Sequence, residues 1–202
     1  EALEERWAPA VLRVGAAETY RTVAAAAAAA QDGDNIQITA GLYAGSAAVA
    51  TFRANNLTIE GVGGKARLDA TGFTIANGKA IWVIQGANTT VRNVEFFGAS
   101  VPDGNGAGIR QEGRNLTVRD CFFHHNQMGI LTGNDALAGG PSTIDIQRTE
   151  FASSGASDGL THNIYIGNVD TFILRDCYTH DSIGGQLVKS RAQNNYILYN
   201  RI

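Results

Sequence analysis

Val91-Arg92-Asn93-Val94-Glu95-Phe96 returns 27 residues later as Val118-Arg119-Asp120-Cys121-Phe122-Phe123, and the reading of the fold starts from that return. The phrase stands earlier as Leu57-Thr58-Ile59-Glu60-Gly61-Val62 and later as Ile146-Gln147-Arg148-Thr149-Glu150-Phe151. It recurs as Leu174-Arg175-Asp176-Cys177-Tyr178-Thr179 and Ile197-Leu198-Tyr199-Asn200-Arg201-Ile202. Its aligned apolar position falls at 59, 91, 118, 146, 174 and 197, in steps of 32, 27, 28, 28 and 23. A second phrase interleaves with it: Ile81-Trp82-Val83-Ile84, Gly108-Ile109-Arg110, Gly129-Ile130-Leu131, Asn163-Ile164-Tyr165-Ile166 and Gln186-Leu187-Val188. Between the phrases stand Gly, Asn and Asp, the residues of tight turns. Two or more short strands per repeat, with no helix between them, cannot bury an apolar face alone; successive repeats must stack. The pattern predicts a parallel β-solenoid. Leucine-rich repeats have a similar period, but their Leu/Asn signature is absent and the repeat length varies too much.

The columns of the repeat test this. The sixth position reads Phe96, Phe123, Phe151, an aromatic stack inside the coil. The fourth reads Val94, Cys121, Thr149, Cys177, small or medium residues suited to an interior file. Cys121 and Cys177 are thus two coils apart, roughly 9 to 10 Å at one strand layer per coil. A disulfide does not span that distance. Two free, buried thiols are expected. Asn93, Asp120 and Asp176 occupy one bend in three coils and read as structural.

Upstream, Val11-Leu12-Arg13-Val14 alternates like a short strand. Thr19 as N-cap and Gly33 as stop predict one helix of about 11 or 12 residues through the alanine run. Such a smooth helix suits a lid on the apolar end of the stack. The expected organisation is a lead-in strand and capping helix over residues 1–33, then coils over 34–202. The last phrase runs to Ile202, so the final coil is expected to lie open or to continue in a longer protein. An open coil leaves strand edges that invite self-association.

The 202 residues carry 17 % charged side chains, 24 Gly and a net charge of −3. No basic block argues for nucleic acid. The longest small apolar run, Ala24 to Ala30, is far too short for a membrane span. Gly61-Val62-Gly63-Gly64 lacks the Lys-Ser/Thr of a phosphate loop. No nucleophile elbow or zinc spacing is present.

The lead helix, the phrase Asp32-Gly33-Asp34-Asn35-Ile36-Gln37-Ile38 leading to Gly41-Leu42-Tyr43, and the coils after it resemble right-handed parallel β-helix proteins of the pectin-lyase-like superfamily. The resemblance covers about residues 12 to 202. It implies an all-β, right-handed parallel β-helix with an N-terminal capping α-helix. That superfamily includes lyases, hydrolases, epimerases and non-catalytic adhesive proteins. His162-Asn163-Ile164-Tyr165 and Lys189-Ser190-Arg191-Ala192 also resemble phrases of a bacterial β-helix group. Lys189-Ser190, followed by Asn194 or Asn195 and by Asn200, is similar to the Lys-Ser…Asn…Asn stretch of alginate and chondroitin lyases. There the lysine is the base, and an arginine on a following coil assists. Here that coil would lie beyond Ile202.

A filled interior leaves the outer faces and loops for chemistry. Arg110, Tyr165 and Lys189 share the second phrase and are expected on one outer face. Burying an unpaired ammonium is costly, which favours Val188 inward and Lys189 outward. β-Elimination on a uronate polymer needs a positive charge at the carboxylate, from Arg or Ca²⁺, and a base at the neighbouring proton. The expected catalytic set is Lys189, Arg191 and His162, with Tyr165, Arg110, His180 and Asn194 binding substrate. Each has a plainer reading. Lys189 and Arg191 can be a solvated pair, His162 can hydrogen-bond a turn, and Tyr165 can pack on neighbours rather than stack on a sugar. His124 and His180 share a column but lie two layers apart, too far for one metal ion. Asp158, Asp170 and Asp181 read as turn residues, with no spacing that marks a glycosidase pair. No metal is required; Ca²⁺ is the one candidate. The expected protein is carbohydrate-active, a lyase on an acidic polysaccharide, and secreted or periplasmic. The alternative is a non-catalytic glycan-binding or structural β-helix segment.

Overall fold

The computed structural model describes residues 8–133, 140–156 and 159–202. Trp7 and Asp158 lie outside the described residues. The chain opens with strand β1 (Val11–Val14) and helix α1 (Val23–Ala29). The first coil holds β2 (Asn35–Ala44), a 3-10 turn (Gly45–Ala47) and β3 (Ala50–Phe52); the second holds β4 (Thr58–Asp69) and β5 (Ala80–Ile84). From there each coil has three strands. These are β6 (Thr89–Arg92), β7 (Val94–Phe97) and β8 (Ala107–Gln111), then β9 (Leu116–Arg119), β10 (Phe122–His124) and β11 (Met128–Thr132). Next come β12 (Thr143–Gln147), β13 (Glu150–Ala152) and β14 (Ile164–Ile166), followed by β15 (Thr171–Arg175), β16 (Tyr178–His180), β17 (Val188–Ser190) and β18 (Asn194–Leu198).

Every strand pairs in parallel with its counterpart one coil away, which makes a solenoid of about seven turns. The first face runs β4-β6-β9-β12-β15-β18 and the second β4-β7-β10-β13-β16; long β4 passes through the corner and joins them into one sheet. The third face is the separate sheet β3-β5-β8-β11-β14-β17.

Corners form where the backbone takes a left-handed turn that Asn and Asp accept at low cost. Asn93, Asp120, Arg148, Asp176 and Tyr199, all with φ between 44° and 57°, bend the chain from the first face to the second. Asn56, Asn88 and Asn115 (φ 56° to 58°) bend it from the third face to the first. Their amides form a ladder: Asn115 Nδ2 donates to Asn88 Oδ1 and Asn88 Nδ2 to Asn56 Oδ1, each at 2.8 Å.

The interior is filled. Phe96 stacks on Phe123 at 4.7 Å and Phe123 on Phe151 at 4.9 Å, as the sixth-position column predicts. Trp82 continues the stack edge-on at 4.8 Å from Phe96, and its indole N–H donates to the Ala48 carbonyl at 3.0 Å. Each fully buried phenyl ring contributes about 2 to 3 kcal/mol by removal from water. The thiols of Cys121 and Cys177 are free and buried, and each donates at 3.2 Å to the carbonyl two residues before it. Thr149 does the same with its hydroxyl at 2.8 Å, which explains why Cys and Thr alternate in this file.

The helix is shorter than its sequence suggests. Tyr20 is tied back to β1, its N–H donating to the Arg13 carbonyl at 3.0 Å, so the chain is not free to turn helical at Thr19. Thr22 is the N-cap, its hydroxyl accepting the Ala25 N–H at 3.2 Å. At the other end Ala30 is already extended, and Asp34 draws in the Gln31 N–H at 2.8 Å. Val23, Ala26 and Ala27 face the core and close the first coil.

Candidate functional site

The third face puts one outward residue from each strand into a single file: Thr51, Val83, Arg110, Leu131, Tyr165, Lys189. On β17, Val188 pairs with inward Ile164 and packs on the core, and Lys189 pairs with outward Tyr165. Most of this outer face is apolar: Ala80, Val83, Ala107, Met128 and Leu131 form a second buried cluster against which Tyr165 packs. Sequence reading missed that cluster. Strand β5 is apolar at every position and β11 at all but Gly129 and Thr132, and that continuous pattern is its signal.

Four side chains meet at the end of the file. Lys189 Nζ lies 3.2 Å from His162 Nε2 and 4.8 Å above the centre of the Tyr165 ring. The Arg191 guanidinium carbon lies 5.6 Å from the same ring centre. The His162 ring meets Tyr165 edge-on at 5.6 Å and 78°. One aromatic ring thus lies within cation–π distance of two basic side chains, which partly offsets the repulsion between them.

Each member is placed by the turn that precedes or follows it. His162 is 2 % exposed, and its Nδ1 accepts the Gln186 N–H at 2.9 Å. Gly185 permits that approach: a Cβ there would collide with the Thr161 carbonyl oxygen and stand 2.9 Å from His162 Nδ1. Behind His162, the fully buried Asn163 amide accepts the Ser154 N–H at 3.0 Å and donates to the His180 carbonyl at 2.8 Å and Thr179 Oγ1 at 3.1 Å. Arg191 rides on a turn stapled by Ser190, whose hydroxyl donates to Asn195 Oδ1 at 2.6 Å and accepts the Ala192 N–H at 3.1 Å. The Arg191 N–H itself donates to the Ile166 carbonyl at 2.9 Å, which anchors the turn to the coil below.

The hydrogen-bond network assigns the histidine tautomer. The Gln186 N–H occupies the Nδ1 lone pair, so neutral His162 carries its proton on Nε2, facing Lys189. The contact is a hydrogen bond when the lysine offers a lone pair, and N–H meets N–H when both are protonated. The Arg191 guanidinium lies beside this contact, over the same Tyr165 ring.

Three expected members stand elsewhere. Arg110 is in the same file but separated from Tyr165 by Leu131, and lies about 14 Å, three strand layers, from Lys189. It faces a different cluster. Burial alone would raise the Glu112 carboxyl, but hydrogen bonds from Lys79 and Gln85 and the charges of Lys79 and Arg110 hold it below the usual range. Asn194 starts β18 on the first face, and its amide donates to the Asp170 carbonyl at 3.2 Å. His180 lies on the outer side of the second face, bonded to Asp181 at 2.7 Å and Glu150 at 3.3 Å. Among the described residues no group of three or more His, Cys, Asp or Glu side chains is arranged to hold a metal ion.

The geometry defines a right-handed parallel β-helix with a compact cationic cluster on the outside of its third face. The solved pectin methylesterase PemA from Erwinia chrysanthemi shares this fold, with a TM-score of 0.59 and 14 % sequence identity over 91 % of the present chain. The chain spans 60 % of that structure's length. No protein-family model matches the chain, and no curated protein does.

Proposed function

We propose that the protein acts on carbohydrate and that the Lys189 cluster cleaves an acidic, uronate-containing glycan by β-elimination. The observation that carries this reading is the 3.2 Å contact between Lys189 Nζ and the Nε2 of a histidine whose other nitrogen is already occupied. It puts the Lys189 amine beside the Arg191 guanidinium on one aromatic ring. Arg191 binds the uronate carboxylate and draws electron density from the adjacent carbon. Lys189 takes the proton from that carbon, the electron pair closes a C=C bond, and the glycosidic C–O bond breaks. The leaving oxygen is protonated by solvent. His162 orients the amine, and the Tyr165 ring supports Lys189 and Arg191 side by side. A pectin-acting neighbour of the same fold supports a glycan substrate by analogy of fold alone. A polymeric acidic glycan as substrate places the protein outside the cytoplasm, secreted or periplasmic; no described helix is long and apolar enough to cross a membrane.

The test is ultraviolet absorbance of unsaturated uronate over alginate, pectate and glycosaminoglycans. Product formation is expected with at least one of them, lost in Lys189→Ala and reduced in Arg191→Ala with unchanged circular dichroism. A folded protein that releases no unsaturated product from any of them refutes the reaction. Binding of those polymers without turnover would leave the cluster a glycan-binding site.

A further inference from the structure

The second face carries a pattern that the Lys189 cluster does not use. Its outward residues form two axial files: Arg67, Glu95, Phe122, Glu150, Tyr178, and beside it Asp69, Phe97, His124, Ala152, His180. One unit repeats in them. Phe122 sits 4.4 Å from His124, whose Nε2 bonds Glu95 of the preceding coil at 3.2 Å. Two coils on, Tyr178 stacks at 4.1 Å on His180, whose Nε2 bonds Glu150 of the preceding coil at 3.3 Å. Ala152 leaves the interval between the two units low. The same aromatic, imidazole and carboxylate groups thus recur at about 9 to 10 Å, two strand layers. Packing of the fold does not require this, because these side chains point away from the core.

Beside the strip runs a concave track. At the corner between the second and third faces, a hollow lined by Asp69, Thr71 and Phe73 joins a second through Gly72 and Phe73. That one joins a third, lined by His125, Gln127 and Ser153, through Ser100. Their volumes are about 410, 380 and 200 Å³. Its polar groups are carboxylate, hydroxyl, amide and imidazole, set among apolar side chains such as Phe73, Ile75, Val101 and Ile183, without a lysine or arginine. Together with the strip it offers four carboxylates (Asp69, Glu95, Glu150, Asp181) against two guanidiniums and His180, whose charged form Asp181 and Glu150 favour. Arg67 pairs with Glu95 at 3.0 Å and lies 5.7 Å from the Phe97 ring centre, and Arg201 lies 4.6 Å from that of Tyr178.

We propose that this strip and its track bind a neutral, extended polysaccharide running along the solenoid axis, with Phe122 and Tyr178 each contacting alternate sugars. The occupant follows from the chemistry. A polyanion is disfavoured by the excess of carboxylates. A hydroxyl-rich chain satisfies Glu, His, Ser and Gln side chains while its C–H faces pack on the aromatics. A linear chain of sugars also presents the same face at every second unit, matching the two-coil interval. This surface is independent of the Lys189 cluster, on another face.

Native affinity electrophoresis in gels containing hydroxyethylcellulose, xylan or galactomannan tests it. Retardation by at least one of these neutral polymers is expected, with about a tenfold weaker affinity in Tyr178→Ala and in Phe122→Ala. Lys189→Ala should be retarded like the parent chain. Circular dichroism and continued protection of the buried thiols establish that each variant is folded. Glu150→Gln, at an exposed position, provides a variant that does not touch packing and should also weaken retention. Absence of retardation in all three gels overturns the proposal. So does equal retardation of the parent and a folded Phe122→Ala/Tyr178→Ala double variant, or binding confined to alginate and pectate and lost in Lys189→Ala.

Discussion

Asn163→Leu isolates what holds the cluster from behind. The side chain is fully buried, and leucine has the same branching with larger methyl groups, so the change removes polar partners without opening a cavity. One group loses its partner outright: the Ser154 N–H, now accepted at 3.0 Å by Oδ1. The His180 carbonyl loses the Nδ2 bond at 2.8 Å but still accepts the Ser153 N–H at 3.4 Å. Thr179 keeps a partner, since its hydroxyl also donates to the Leu187 carbonyl at 3.3 Å. A buried group left unsatisfied costs about 1 to 3 kcal/mol, so the orphaned Ser154 N–H predicts a loss of about 1 to 3 kcal/mol. Against a total of about 5 to 15 kcal/mol for a folded domain, that is a large fraction. Urea denaturation followed by the fluorescence of buried Trp82 measures it. Native-state hydrogen exchange locates it, with the Ser154 amide losing protection and the Phe96–Phe123 coils unaffected. His162, the next residue along, should lose its fixed position, so the Lys189→Ala phenotype on uronate should appear in part in Asn163→Leu. A loss below about 0.5 kcal/mol, the scatter of surface substitutions, with Ser154 still protected, would refute the reasoning.

Both thiols should resist modification in the native state: burial pushes Cys121 up to about 12 and also raises Cys177, so an aromatic disulfide reagent at neutral pH should titrate them only after denaturant is added, and fast labelling of the folded chain would contradict this. His180 should titrate above its ordinary 6.5, because hydrogen bonds to Asp181 first and Glu150 second favour its charged form, which outweighs its partial burial. The stability this gives is complete below the unfolded value and fades as pH rises through the folded one; NMR of the imidazole should show the midpoint falling in Asp181→Asn, and an unmoved midpoint counts against the assignment. At the corner ladder, Asn88→Gly removes the amide bonds alone, whereas Asn88→Ala also places a Cβ at φ 58°. The alanine variant should be less stable than the glycine one by about 1 kcal/mol, and equal urea midpoints would show that backbone conformation is not what selects Asn there.

The sequence by itself determined the solenoid, its parallel strand files and its aromatic interior. Those depend on which residues recur at one coil's spacing, and a repeat in sequence becomes a repeat in space when each coil must bury its apolar face on the next. The outward direction of Lys189 was legible for the same reason, since strand alternation and the cost of burying an ammonium are local facts. The helix boundary was not: Thr19 and Thr22 are both plausible caps, and only the pairing of Tyr20 with β1 decides between them. Within the expected site, what draws His162, Tyr165, Lys189 and Arg191 together and leaves Arg110, Asn194 and His180 apart is the tertiary structure. Arg110 shares a file with Lys189, but counting layers separates them; His180 shares a coil with Lys189, but a corner at Asp181 turns it onto another face. The loops that turn those corners differ in length from coil to coil, and their hydrogen bonds, such as Gln186 to His162, join residues that no periodicity relates. Strand register repeats and can be read in one dimension; corner geometry does not repeat, so the meeting of side chains across it exists only once the chain is folded.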